Sequence, residues 1–400
     1  MAIVITGIGV QSPLGCTLQE AMQHVARGTR CVSDIESFDA SGFPMKAAGE
    51  VRSEGRVVHT PSDVDRKIFF LNRALEQLEQ ATGFRERYAP AELVMNMGCG
   101  VDYVDIERFF NNEEFLLPPF SELPAHHKTD AQIRELARLL DIRGGCHVFV
   151  AACVASTQAM GLSLRMLRRG THRAAITGGS ESMISHINYI GFFLLGAMAP
   201  GASPATACKP FDRLRRGTIL GEGALTMLLE RSEYARPESI LAEIAGYGAT
   251  MDAFAITDPE PSAARLARAI ELALEDAGIP PDQIDCAHLH GTGTLKNDPA
   301  EYLALRKVFG ERASTLPVYS LKGQMGHLIG SCGAMEMLGV IHTLQHQEVL
   351  PTVNFSEPDP EVPLNVIQGE PLSLGVRYVL KLNSAFGGQN TAFVIKKYEP

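Results

Sequence analysis

Cys153 stands where an apolar stretch, HVFVAA, gives way to the run VASTQAMGLSLRML. A thiol at the start of a helix meets free backbone N–H groups and the positive end of the helix dipole, which favour thiolate over thiol. The small neighbours Ala151, Ala152, Ala155 and Ser156 leave room for another group to reach the sulfur. A buried core cysteine carries the same local signature, because free Cys is among the most buried residue types. His290 narrows the choice. It closes the alternating segment CAHLH and is followed by Gly-Thr-Gly-Thr, a setting for proton transfer beside open backbone. A structural histidine fits too. So does a metal ligand shared with His288, but no acidic or cysteine partner lies at metal-site spacing. Asp298 and Glu301 follow closely, placed to orient the loop or the histidine by hydrogen bonds. In SLKGQMGHLIGSCGAMEM, Lys322 and His327 share one glycine-flanked turn, a cation and an imidazole suited to an anionic substrate or a developing oxyanion. Near the C-terminus, LNSAFGGQN offers backbone N–H groups as an anion nest, with Phe386 as a bulky gate. Each of the four turns is ambiguous alone; together they point to one reactive site.

The elements that must hold these residues read as an α/β chain, with short Val- and Ile-rich runs alternating with longer helical patterns. Residues 2–6 read as a strand closed by a glycine turn, and 12–27 as a loop leading into a helix. Residues 63–82 read as a helix with Ile68, Leu71, Leu75 and Leu78 at helical spacing, 93–97 as a buried strand, and 129–140 as a helix closed by Gly144-Gly145. Two segments share a plan. Strand 148–152 runs through Cys153 into a helix ending near Arg169. Strand 317–321 runs through a turn holding His327 into a helix over about 331–346. Strand 377–382 precedes the last glycine turn. No repeat of residue identity accompanies the shared plan, so duplication rests on the plan alone. The stretch 231–239, with Pro237, is the expected seam, dividing the chain into 1–235 and 236–400.

Composition excludes several classes. The chain has 400 residues, 45% of them hydrophobic and 20% charged, which describes a globular protein and not a disordered or fibrous one. The net charge of −10 argues against nucleic-acid binding. A basic run (Arg165, Arg168, Arg169, Arg173, Lys209, Arg213, Arg215, Arg216) leaves room for an acidic partner, or is a solvated face. The eight cysteines show no CxxC pair and no zinc spacing, so most are expected to be reduced and buried. MAIVITGIGV is too short and too lightly charged for a signal peptide, and the apolar stretch 190–199 falls short of a membrane span, so a cytoplasmic protein with no membrane association is expected. Gly7-Ile8-Gly9 has Ser12 where the third glycine of a dinucleotide fingerprint belongs. No Walker loop and no GxSxG elbow occurs.

The segments AACVAST, HGTGTLKNDPAE, KGQMGHLIGSCGAME and AFGGQN resemble the active-site motifs of the β-ketoacyl-acyl carrier protein synthases. KPFDRLRRGTILGEGA and the opening TGIGVQSPLG resemble further landmarks, so the likeness covers essentially the whole chain in order. The resemblance implies the thiolase-type fold, two similar α/β halves in a five-layer αβαβα body that dimerises. It implies a decarboxylative Claisen condensation. Cys153 would accept an acyl chain, and His290 and His327 would hold a malonyl thioester and promote its decarboxylation. Lys322 would position and tune His327, with Glu336 in support. The N–H groups of Cys153 and Phe386 would form the oxyanion hole, and Thr292 and Thr294 would contact the phosphopantetheine arm. No cofactor and no metal are implied, since substrates ride on acyl carrier protein. Arg66 and Lys67 fit the family's carrier-docking cations.

The chain departs from the family's pattern over 111–144, which carries FLLPPF and His126-His127, and at Ser384, where an aromatic residue is usual. These departures lean toward a specialised type II polyketide or polyene synthase over a housekeeping fatty-acid enzyme. The partner is then a second copy or a chain-length-factor-like subunit. A chain-length factor itself lacks the nucleophilic cysteine, and a thiolase acting on coenzyme A thioesters uses a different Cys/His arrangement.

Overall fold

The structure, a computed structural model, describes residues 2–61, 64–101, 128–201 and 203–399. Among these residues eleven strands hydrogen-bond into one mixed sheet. The first half of the chain supplies β1 (Ile3–Gln11), β2 (Leu93–Cys99), β3 (Cys146–Val150), β4 (Ala174–Glu181) and β5 (Gly223–Arg231). The second supplies β6 (Ala242–Met251), β7 (Cys286–His288), β8 (Pro317–Tyr319), β9 (Asn365–Val366), β10 (Tyr378–Ala385) and β11 (Gln389–Lys396). The order across the sheet is β9-β8-β7-β10-β11-β6-β1-β5-β4-β2-β3.

Counted outward from the seam, the two halves are the same. Each runs first strand, last strand, last but one, second, third, with β9 added at the second half's edge. In each, the two inner pairings are antiparallel and the two outer ones parallel. The halves meet where β1 pairs antiparallel with β6, Val4 opposite Glu243.

Helices fill three layers around the two half-sheets. Helix α1 (Arg66–Thr82) covers β1, β5 and β4 from outside. Helix α3 (Ala264–Ala277), with α4 (Asn297–Phe309) beside it, covers β6 and β11. Between the half-sheets lie α2 (Ala155–Arg168), the helical turn Cys332–Met335 and α5 (Met337–His346). This is the five-layer thiolase arrangement.

The outer layers explain a glycine pattern read differently from sequence. Gly7 and Gly9 lie inside β1 and form no turn. A Cβ at Gly9 would sit 1.8 Å from the carbonyl oxygen of Ala74 on α1. The matching Gly248 on β6 would meet the carbonyl of Ala269 on α3 at 2.1 Å. Both glycines let an outer helix lie directly on a first strand. Other boundaries shift by a few residues: Asp65 caps α1 by accepting from the N–H groups of Lys67 and Ile68, and the helix expected over 331–346 is broken at Glu336. Residues 102–127, including FLLPPF and His126-His127, lie outside the described residues. No helix among the described residues is long and apolar enough to cross a membrane.

Candidate active site

Three outer-strand ends and one hairpin converge between the half-sheets. Beyond β3 the chain turns through Ala152, whose φ of 44° is a left-handed conformation in a residue with a Cβ, into a single turn leading to α2. That strain, of order 1–3 kcal/mol, lifts Cys153 off the strand axis. The backbone N–H groups of Phe386 and of Cys153 itself face the sulfur, and His327 Nε2 lies 3.0 Å from it. The sulfur is buried, and burial pushes the thiol up to about 12 against the opposing pull of the Lys322 charge. The thiolate expected from a helix N-terminus is therefore overruled: desolvation outweighs the helix end. His327 beside it is held well below its usual range by burial and by Lys322.

His290 follows β7, and its ring lies 5.2 Å from that of His327, nearly perpendicular. Its Nδ1 is approached by two donors, Lys322 Nζ at 3.2 Å and Asn383 Nδ2 at 3.2 Å. Burial, then Lys322, then His327 hold this imidazole neutral. A neutral ring whose Nδ1 accepts carries its proton on Nε2. Lys322 thus hydrogen-bonds to His290, also donating to its carbonyl at 2.5 Å, and reaches His327 through its charge. The reason is local: its ammonium is drawn into an ion pair with Glu336, buried completely. Burial alone would lift the Glu336 carboxyl, but Lys322 and Lys381 hold it well below its usual range.

Lys381 and Asn383 were not anticipated. Lys381 Nζ reaches Glu336 Oε2 at 3.1 Å and the Asn383 side-chain oxygen; Asn383 Nδ2 reaches Glu336 Oε2 at 2.8 Å. The signal was available: in YVLKLNSA a lysine and an asparagine alternate on one face of an otherwise apolar strand. Below the loop, Glu301 accepts from the N–H groups of His290 at 2.6 Å and Gly291 at 2.7 Å. Asp298 accepts from Phe211 N–H at 2.7 Å and Gly293 N–H at 3.2 Å. The two carboxylates hold the loop's backbone and do not touch the imidazole.

Cys153, His290 and His327 floor a cavity of about 330 Å3. Thr292 and Thr294, whose hydroxyls are 2.9 Å apart, line one wall with Leu295. Phe386 lines another and lies 6.4 Å from the stacked ring of Phe192. Ser384 Oγ donates to Asn390 Oδ1 at 2.9 Å, tying down the base of the Phe386 hairpin. The docking cations do not fit their expected part. Arg66 forks onto buried Glu222, and Lys67 is only 3% exposed with its ammonium on the carbonyl of Val101. Helix α1 turns these two charges inward.

Ligand atoms of Cys153, His290 and His327, and of His290, Cys332 and Glu336, lie close enough to hold a metal ion. Electrostatics oppose it. His290 Nδ1 and Glu336 are already occupied by ammonium and amide donors, and a dication beside two buried lysines would be repelled.

Two α/β halves with a cysteine on one and paired histidines on the other define a condensing enzyme of the thiolase fold. Residues 1–82 and 134–235 match the Beta-ketoacyl synthase N-terminal domain, and 241–356 match its C-terminal domain. The chain belongs to the β-ketoacyl synthase family, whose members are acyltransferases that need no separate cofactor. It is 30% identical to a 3-oxoacyl-[acyl-carrier-protein] synthase 2 of Staphylococcus aureus (strain COL), over 99% of this chain and 98% of that one. Among solved structures it is similar to a type II PKS acyl-carrier protein in complex with its ketosynthase bound to the hexaketide (TM-score 0.89, 26% identity, 99% of each chain). It is also similar to a ketosynthase in complex with its chain length factor from Xenorhabdus doucetiae (TM-score 0.83, 26% identity, 99% of this chain and 98% of that one).

Proposed function

We propose that this chain joins an acyl group held on Cys153 to a malonyl group delivered on acyl carrier protein, as a 3-oxoacyl-[acyl-carrier-protein] synthase. The observation that carries the reading is the pairing of His327 Nε2 with the Cys153 sulfur beside a second imidazole whose Nε2–H is free to donate. In the first half-reaction His327 takes the thiol proton, the sulfur attacks the acyl thioester, and the carrier's thiol leaves with that proton. In the second, the malonyl C–C bond to the carboxylate breaks and carbon dioxide departs. The electron pair becomes an enolate whose oxygen accepts hydrogen bonds from His290 Nε2–H and from His327, whose Nε2 takes up from solvent the one proton that the condensation consumes. The enolate carbon attacks the acyl carbonyl. The oxyanion sits against the N–H groups of Cys153 and Phe386; collapse expels the Cys153 thiolate, which takes the proton from His327 Nε2 and becomes the thiol again. Covalent capture divides one difficult step into two easier ones. Lys322, Lys381, Glu336 and Asn383 fix the His290 tautomer, Thr292 and Thr294 flank the arm, and Asp298 and Glu301 hold their loop.

The setting is fatty-acid, type II polyketide or polyene synthesis in the cytoplasm. A second subunit, a copy of this chain or a chain-length-factor-like partner, lies along β3, an edge strand with Val150 half exposed. The test is intact-protein mass after incubation with a panel of acyl-carrier-protein thioesters. Wild type should gain one acyl group and Cys153→Ala none; an adduct of equal yield on Cys153→Ala would overturn the assignment. Native mass spectrometry of the loaded protein, alone and with neighbouring gene products, separates the two kinds of partner.

A further inference from the structure

The basic run of the sequence does not survive folding as a patch. Arg168 pairs with Asp276 at 2.7 Å, Arg173 with Glu92 at 3.0 Å, Lys209 with Asp212 at 3.5 Å, Arg215 with Asp359 at 2.5 Å, and Arg213 with Glu357. Arg216 differs. It is exposed, lines the mouth of the cavity above Cys153, and has no hydrogen-bond or ion-pair partner among the described residues. Lys296, the other cation lining that cavity, is neutralised by Asp258 at 2.6 Å.

Arg216 is also well anchored. Gly217 N–H donates to the carbonyl of Gly293 at 2.9 Å, tying the segment to the loop that carries Thr292 and Thr294. Three residues further on, Ile219 accepts from His327 N–H at 2.8 Å, and Gly221 N–H donates to the His327 carbonyl at 2.9 Å. One short stretch therefore fixes an unpaired guanidinium at the mouth relative to a catalytic imidazole on the floor. An unpaired guanidinium at the mouth of a cavity, in a chain of net charge −10, offers an anion a partner that no carboxylate has taken. A planar guanidinium suits phosphate in particular.

We propose that Arg216 binds the phosphate of the pantetheine arm at the cavity mouth and so selects phosphate-bearing thioesters over phosphate-free ones. This deepens the condensing-enzyme reading and rests on it. The phosphate is a phosphodiester when the arm is on carrier protein and a diphosphate when it is on coenzyme A, and the test separates the two. Condensation is measured for wild type, Arg216→Ala and Arg216→Lys with malonyl groups on acyl carrier protein, on coenzyme A, and on N-acetylcysteamine, which has no phosphate.

For Arg216→Ala, KM should rise with both phosphate-bearing donors by about tenfold more than with N-acetylcysteamine, the effect of losing one charge-assisted contact at an exposed site. Arg216→Lys should recover part of the loss, and the gap between donors should narrow as salt is raised. An equal loss with all three donors would overturn the proposal, since the change would then lie in the cavity itself. A loss with carrier protein alone would also overturn it, placing the contact on the carrier's surface. If wild type, folded and assayed both alone and with the partner subunit that native mass spectrometry identifies, condenses none of the three donors, the condensing-enzyme reading has failed, and not the assignment of Arg216.

Discussion

The two halves of the molecule share one strand order, and their third strands, β3 and β8, end at the same place between the half-sheets. Beyond these strands the two chain paths diverge. After β3 the chain makes one strained turn and delivers a single thiol onto the start of α2. After β8 it spends the stretch from Lys322 to Glu336 on a lysine, an imidazole and a carboxylate, all buried. The first half contributes the thiol, and the charges that act on it, Lys322 and Glu336, come from the second. The second contributes two ammoniums, one carboxylate and two neutral imidazoles. On the proposed mechanism the division separates what is attacked from what must be stabilised: the acyl group waits on the thiol, and the charge of the enolate develops against the imidazoles of the second half.

The sharpest way to break this comparison is to remove one imidazole at a time. His290→Ala and His327→Ala should each lower condensation by about 10²–10⁴-fold, the usual worth of a positioned proton donor. They should differ in the first half-reaction. His327 touches the sulfur and His290 does not, so Cys153 acylation should slow more in His327→Ala, read by rapid-quench mass spectrometry. Equal acylation rates would mean that the thiol is activated from its own half.

The charge cluster gives the next largest effect. Glu336→Gln leaves Lys322 and Lys381 buried with no anion between them and should cost about 3–5 kcal/mol of stability. Lys381→Met leaves the Lys322–Glu336 pair intact and should cost about 1 kcal/mol or less, because it removes the second of two buried ammoniums that share one carboxylate and leaves no buried charge unpaired. Denaturant midpoints of the two variants decide it. A Lys381→Met variant as unstable as Glu336→Gln would mean that both ammoniums are needed to hold the carboxylate.

The outer layers test whether the halves are alike in packing as well as in order. Gly9→Ala and Gly248→Ala each drive a methyl into a carbonyl of the covering helix, so each should destabilise by about 1–3 kcal/mol and by similar amounts. A large effect in one half only would limit the likeness to topology.

Much of this was legible in the sequence because the reactive residues sit at strand ends beside glycines, where chemistry and turn signals coincide. Cys153, His290, Lys322, His327 and Phe386 all fall there. Lys381 and Asn383 escape such a reading because they lie inside a strand and signal only by alternation, and their partner Glu336 comes from another element. Arg66 and Lys67 look like surface charge because a helical pattern shows which residues share a face and not which face is covered; Glu222, more than 150 positions away, turns Arg66 inward. The glycines of β1 read as a turn because nothing local reveals that α1 will lie against them. The protonation of Cys153 is misjudged from sequence for a related reason: the helix start is local, whereas the burial that opposes it comes from the whole fold.

The pH profile of the thiol should separate wild type from variant least and reads the nucleophile's half most directly. The thiol is pushed up to about 12, so below that value its thiolate fraction rises tenfold per pH unit, about 1.4 kcal/mol of proton affinity at each step. The rate of Cys153 alkylation by iodoacetamide, which reaches the sulfur through the cavity, should therefore climb steadily from pH 7 to 10 without levelling. In His327→Ala the profile should keep the same slope, because the neutral imidazole accepts the proton only while an acyl thioester is being attacked. A plateau below pH 9 would show that the resting site already holds a thiolate–imidazolium pair. The first half would then carry charge before substrate arrives, and the separation of an apolar nucleophile from a polar floor would not describe the resting enzyme.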